Sequence, residues 1–159
     1  PVARSECFVA GTPVWTETGI RPIETIETGD RVLSQDQETG ELAFKLVLQC
    51  SQRDPQPLVR MQVQGETVAS TKGHPYWVNG IGWRMARLLE PGERLHGIEG
   101  SLEVEEVSTP VVREEVYNLV VDEFANYFVG NAGILAHDNT YRSATRCVVP
   151  GLSEDDKVQ

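Results

Sequence analysis

The sequence predicts an all-β domain. Three observations carry this: apolar residues alternate with polar ones at period two, the other apolar runs are short, and turn signals recur at short intervals. The alternation is clearest at Val59, Met61 and Val63, set against Arg60, Gln62 and Gln64, the pattern of a strand with one face in a core. Leu102, Val104 and Val107 among Glu103, Glu105 and Glu106 repeat it less regularly. The runs FKLVL (44–48), VYNLVV (116–121) and YFV (127–129) suit strands buried on both faces. Turns are expected at Thr18-Gly19, Thr28-Gly29-Asp30, Thr39-Gly40, Asn79-Gly80, Pro91-Gly92 and Gly130-Asn131-Ala132-Gly133. One short helix is expected, with Met85, Leu88 and Leu89 on one face and Pro91-Gly92 ending it. Trp15, Trp77 and Trp83 read as core or edge aromatics.

Bulk properties narrow the function. The 159 residues make one domain's worth of chain, long enough for a core of its own. The formal charge is −10, with 24 acidic against 14 basic side chains. No Lys or Arg stripe stands out, so a nucleic-acid partner is not expected. Cys7, Cys50 and Cys147 are widely spaced with no CxxC pair, which argues against a zinc fork or a disulfide framework. No apolar run reaches the roughly 18 residues of a membrane span, and the N-terminus has no signal-peptide pattern. The tail TYRSATRCVVPGLSEDDKVQ lacks strand alternation and ends in a charged run. The chain reads as a piece of a larger protein.

Three segments carry chemistry-bearing residues. Cys7 precedes an apolar run and a Gly11-Thr12-Pro13 turn, and a thiol there can reach back to the carbonyl of Glu6. Its bland reading is a small packing residue. Thr71-Lys72-Gly73-His74-Pro75 is a tight turn in which Thr71 can hydrogen-bond a peptide and His74 can protonate a leaving amide nitrogen. Read blandly, these are a capping Thr and a surface His. His137-Asp138-Asn139-Thr140 offers an asparagine amide able to attack its own backbone carbonyl, a histidine to polarise that carbonyl, and a hydroxyl just beyond. Its bland reading is a polar loop after a strand.

Taken together, these segments resemble the Hint domains shared by inteins, bacterial intein-like domains and hedgehog autoprocessing domains, and most of all the pretoxin Hint domains of bacterial polymorphic toxins. The resemblance rests on CFVAGTPV (7–14), PIETIETGDRVLS (22–34), TKGHP (71–75), WRMARLLEPGERL (83–95) and VYNLVVDEFANYFVGNAGILAH (116–137). It covers residues 7–139 and implies a horseshoe-shaped fold with pseudo-two-fold symmetry. It further implies a flank at 1–6, a Hint domain at 7–139 and a second flank at 140–159. The implied activity is autocatalytic processing in cis, by splicing or terminal cleavage, once per molecule. No cofactor or metal is implied. The substrate is the chain's own flanking segments, the expected state is a monomer, and the implied setting is bacterial.

The resemblance also implies roles. Cys7 resembles the nucleophile that turns the Glu6–Cys7 peptide into a thioester. Thr71 and His74 resemble the pair that activates this amide, and His137 the histidine that assists the C-terminal step. Here the sequence departs from the pattern, because Asp138 separates His137 from Asn139. In one alignment Asn139 cyclises, the Asn139–Thr140 bond breaks and Thr140 is the downstream nucleophile. In the other, Asp138 is the terminal residue. The first is preferred because it supplies both functional groups. A one-residue shift in a strand moves a side chain to the opposite face, so slow or conditional processing is expected. A second departure is Asn118, where many inteins carry Asp; Asp122 is a substitute only if the strand register allows it. His96 reads as a surface histidine, Cys50 as packing, and Cys147 as a linker thiol or an alternative downstream nucleophile. Two rivals remain: an inactive Hint scaffold linking neighbouring domains, and a cysteine hydrolase acting in trans through Cys7 and His74.

Overall fold

The computed structural model describes residues 6–138 and residue 140. Asn139, Cys147, residues 1–5 and residues 141–159 lie outside these described residues. Fourteen strands form among them: β1 (Phe8–Val9), β2 (Pro13–Thr16), β3 (Gly19–Pro22), β4 (Arg31–Gln35), β5 (Leu42–Val63), β6 (Glu66–Thr71), β7 (Pro75–Val78), β8 (Gly82–Met85), β9 (Arg94–Gly97), β10 (Gly100–Glu103), β11 (Glu106–Ser108), β12 (Arg113–Val121), β13 (Asn126–Val129) and β14 (Ile134–His137). The all-β reading holds, and each expected turn joins two elements.

The spine is β5, 22 residues long. Its start pairs antiparallel with β4 (Arg31↔Leu46 to Gln35↔Leu42), its middle with β12, and its end with β6 (Leu58↔Thr71 to Val63↔Glu66). A straight strand of that length would run roughly 70 Å. Register shifts between Glu114 and Val116 and between Val120 and Val121 break the β5–β12 ladder, and such irregularities bend a strand. One spine thereby serves two lobes. The strand order is β10-β9-β7-β14-β13-β2-β4-β5-β12-β1-β6.

The main core gathers Phe8, Val14, Val32, Val59, Met61, Val63, Tyr76, Leu95, Leu119, Tyr127 and Ile134, all buried. A second cluster packs Trp77, Phe128 and Leu135 with Trp15 and Trp83 beside them. The alternation at 59–63 does what the pattern required: Val59, Met61 and Val63 face inward.

Two expectations are corrected. The run 44–48 lies in a strand, but only Val47 is buried; Phe44 is 43% and Leu48 49% exposed. The sheet is covered there on one side only. The expected helix shrinks to one 3-10 turn at Ala86–Leu88, with Leu88 exposed and Leu89 buried. Its amides are engaged elsewhere: Ala86 N donates to His74 O (2.9 Å) and Arg87 N to Lys72 O (3.0 Å). The turn braces the TKGH segment instead of extending into a helix.

Candidate active site

Two strand registers assemble the site. In the first, β1 lies between β12 and β6, with Phe8 opposite both Tyr117 and Ser70. Continuing these antiparallel ladders by one residue puts Cys7 between Asn118 and Thr71. In the second, β14 pairs with β7 through Ala136↔Tyr76. The same continuation brings the end of β14 beside His74. Sequence positions 7, 71–74, 118 and 137–138 therefore converge.

The Glu6–Cys7 peptide is held at both ends. Cys7 N donates to Thr71 Oγ1 at 3.0 Å, and Thr71 N donates to Cys7 O at 2.9 Å. On the acyl side, Asn118 Nδ2 donates to Glu6 O at 2.5 Å. The Asn118 amide is oriented in turn by Tyr127, whose hydroxyl donates to Asn118 Oδ1. Burial, reinforced by the Asp138 charge and by Cys7 once it ionises, pushes the Tyr127 phenol well above its usual range. It stays a neutral donor, so the amide turns its NH2 toward Glu6.

The Cys7 thiol is enclosed. Cys7 is fully buried and packs with Leu58 and Val116. Burial pushes its thiol up to about 11. The Arg53 guanidinium opposes this by its charge and by a hydrogen bond, while the Glu6 carboxylate adds to the rise. At neutral pH the group is a thiol, and the thiolate is a minor species.

The two histidines are joined through backbone, not ring to ring. His74 is fully buried, its ring against Phe8 with centroids 4.1 Å apart. Its Nε2 lies 3.0 Å from His137 O. A carbonyl only accepts, so Nε2 carries the proton in the neutral ring. His137 holds the opposite tautomer: its Nδ1 donates to Asp138 O at 3.0 Å. The His137 ring stands edge-on to Trp83, with centroids 5.0 Å apart.

Asp138 is fully buried. Its Oδ2 accepts from Val121 N at 2.8 Å, and its Oδ1 accepts from both Thr140 N (2.9 Å) and the Thr140 hydroxyl. The inserted residue is thus an anchor between β12 and the exit of the chain. Asn139 lies outside the described residues. Asp122 sits away from this cluster, in the turn after β12, where its charge acts on Lys45.

Other readings resolve as follows. His96 is half-buried, its Nε2 2.6 Å from Gln35 Oε1, so it joins β9 to β4 rather than lying free on the surface. Cys50 is exposed, not packed, and its thiol donates to Ile26 O at 3.2 Å. Trp77 is buried and Trp15 and Trp83 lie at the edge of the same cluster. Sequence reasoning misses Tyr127 and Arg53. Tyr127 is hidden in an apolar strand pattern, and nothing in the sequence sets Arg53 apart from other strand charges. Among the described residues, no three His, Cys, Asp or Glu side chains gather as a metal would require. No helix among them is long and apolar enough to cross a membrane.

An antiparallel β fold in which a buried thiol, a Thr/His turn and a histidine at the end of its last strand converge is the architecture of a Hint domain. The pretoxin Hint domain family matches residues 14–139, and the chain belongs to that family. A bacterial intein-like domain from Clostridium thermocellum is 36% identical, with a TM-score of 0.81 over 85% of this chain and 100% of that one. The gp41-1 intein (17% identity, TM-score 0.71, 85% of this chain and 100% of that one) shares the fold. So does a DnaB intein from Synechocystis (16% identity, TM-score 0.74, 86% and 100%). No curated protein matches the chain.

Proposed function

We propose that the domain processes its own polypeptide, beginning at the Glu6–Cys7 bond. The observation that carries this reading is the two-ended grip on that peptide: Asn118 Nδ2 on Glu6 O and Thr71 Oγ1 on Cys7 N. In the proposed step, Cys7 Sγ loses its proton and adds to the Glu6 carbonyl carbon. The oxyanion forms where Asn118 already donates. Collapse breaks the C–N bond, the nitrogen takes up a proton, and Glu6 is left as a thioester on Cys7. Thr71 and His74 assist the departing nitrogen. Water, a small thiol or Thr140 then takes the acyl group. Proximity supplies most of the acceleration, roughly 7–11 kcal/mol for a well-placed intramolecular nucleophile.

At the other end two cuts compete. Cyclisation of Asn139 would break Asn139–Thr140. The contact from His137 Nδ1 to Asp138 O supports a second cut, after Asp138, by polarising that carbonyl. There the Asp138 carboxylate would attack its own carbonyl carbon and close a cyclic anhydride as the C–N bond breaks, the Asn139 nitrogen would take up a proton from solvent and leave as an amine, and water would reopen the ring. A carboxylate bound by three donors is a restrained nucleophile, which supports slow or conditional release. The substrate throughout is the chain's own flanks.

Incubating the full chain with and without a reducing thiol, and weighing the fragments over time, tests the proposal. A fragment ending at Glu6, lost in Cys7→Ala, is expected. Identical patterns for wild type and Cys7→Ala would leave only a scaffold. A rate that rises with protein concentration would indicate hydrolysis in trans.

A further inference from the structure

Gly73 is a glycine for a reason its backbone does not supply. Its φ lies outside the left-handed range that eleven other glycines of the described chain occupy, so an alanine would fit the local conformation. What an alanine would meet is the side chain of Glu6. A Cβ at position 73 would lie 2.8 Å from Glu6 Oε1, 3.7 Å from Cδ and 3.8 Å from Cγ. The three nearest atoms all belong to the residue that precedes the nucleophile.

The surroundings make this a seat rather than a chance contact. Glu6 O is held by Asn118 and the next nitrogen by Thr71, so the Glu6 backbone cannot slide. Gly73 belongs to the same turn as Thr71, closed by His74 N donating to Thr71 O at 3.2 Å. The amide of Ala86 and the amide of Arg87 brace that turn from behind. The turn that grips the scissile nitrogen therefore also receives the side chain on the other side of the bond.

We infer that Gly73 forms a specificity notch for the residue preceding Cys7, one that admits a long side chain ending in a planar polar group. The inference rests on the self-processing reading and adds which flanking residue the domain accepts. With the notch open, a glutamate-sized side chain lies over Gly73 and the peptide keeps its grip. With the notch filled, a long side chain loses its seat over Gly73 and no longer helps to hold the Glu6 carbonyl on Asn118, while a short one is indifferent.

A four-chain cycle tests this on the full chain: wild type, Glu6→Ala, Gly73→Ala and the double variant. Each is read by the initial rate of thiol-triggered release of the N-terminal fragment. The clashing atom is the tip of a flexible side chain, so Gly73→Ala should fold, and its melting temperature checks this. The ratio of the rate with glutamate at position 6 to the rate with alanine there should fall about fivefold or more when position 73 becomes alanine. An unchanged ratio overturns the notch, even if both rates drop. A wild-type chain with no Cys7-dependent fragment overturns the self-processing reading instead. The seating is read separately by NMR in the Cys7→Ala background, where no chemistry occurs. There Gly73→Ala should move the Glu6 side-chain resonances, and an unmoved Glu6 overturns the notch whatever the kinetics.

Discussion

Asn118 Nδ2 and the Glu6 carbonyl oxygen are 2.5 Å apart, although 112 residues separate them in the chain. The contact joins the middle of β12 to the residue before Cys7, and it aims a neutral donor at the atom that becomes negative when a thiol adds to the carbonyl. Donors placed in advance at such an atom each contribute about a hundredfold or more to acyl transfer. Asn118→Ala should slow release of the N-terminal fragment by about that factor. Asn118→Asp should slow it too, because a carboxylate there repels the developing charge. The measurement is the single-turnover rate with saturating thiol. A rate within about twofold of wild type for both variants would remove Asn118 from the chemistry.

Tyr127 acts one bond further out. Its hydroxyl donates to Asn118 Oδ1 and fixes which way the amide points. Tyr127→Phe keeps the ring in the core and removes that bond. The freed amide can flip, so the N-terminal step should slow about fivefold, in line with roughly 1 kcal/mol for a hydrogen bond. The readout that separates orientation from folding is the double variant with Asn118→Ala: removing Tyr127's hydroxyl should then cost little more.

These two residues show what the sequence carried and what it did not. Cys7, Thr71 and His74 each carry a bland local reading and stand out only by their order along the chain together with the 137–140 segment, while the turns stand out because glycine marks them. Tyr127 reads only as one more apolar residue of a buried strand. Its partner is nine residues away through a turn and two strands, and only the register decides that they meet. Arg53 is hidden for the same reason, since it reaches Cys7 from β5 across β12, where it pairs with Val116. The reading of 44–48 as doubly buried failed because a composition of Phe and Leu does not say whether a second layer covers the sheet. The expected helix failed because the amides of Ala86 and Arg87 are drawn to His74 and Lys72, contacts that no local pattern encodes.

The pH dependence follows from the buried thiol. With the Cys7 thiol pushed up to about 11, chiefly by burial, the reactive thiolate is scarce at neutral pH and grows tenfold per unit below that value. The logarithm of the N-terminal rate should therefore climb with unit slope between about pH 7 and pH 10. The Glu6 carboxylate contributes to the rise, so removing its charge works the other way. Glu6→Gln keeps the shape, lowers the thiol's affinity for its proton, and should raise the rate about two- to threefold at fixed pH. A flat profile over this range would mean that thiol ionisation does not limit the step.

The C-terminal step separates the two cut positions through Asp138. His137 Nδ1 donates to Asp138 O, and His137→Ala should cut C-terminal release about a hundredfold while leaving the N-terminal fragment. Mass then identifies the cut, because products ending at Asp138 or at Asn139 differ by one asparagine. The His137–Asp138 contact supports the former. If so, Asp138→Asn replaces a carboxylate by an amide that can close a succinimide, and C-terminal release should become faster. Asn139→Ala should change little. If the bond after Asn139 is cut instead, the pattern inverts: Asn139→Ala abolishes release. Asp138→Asn then only weakens the anchor, since an amide serves Val121 N and the Thr140 donors less well than a carboxylate. Tracking both variants by mass in one time course decides between the two bonds, and the sign of the Asp138→Asn effect alone is sufficient.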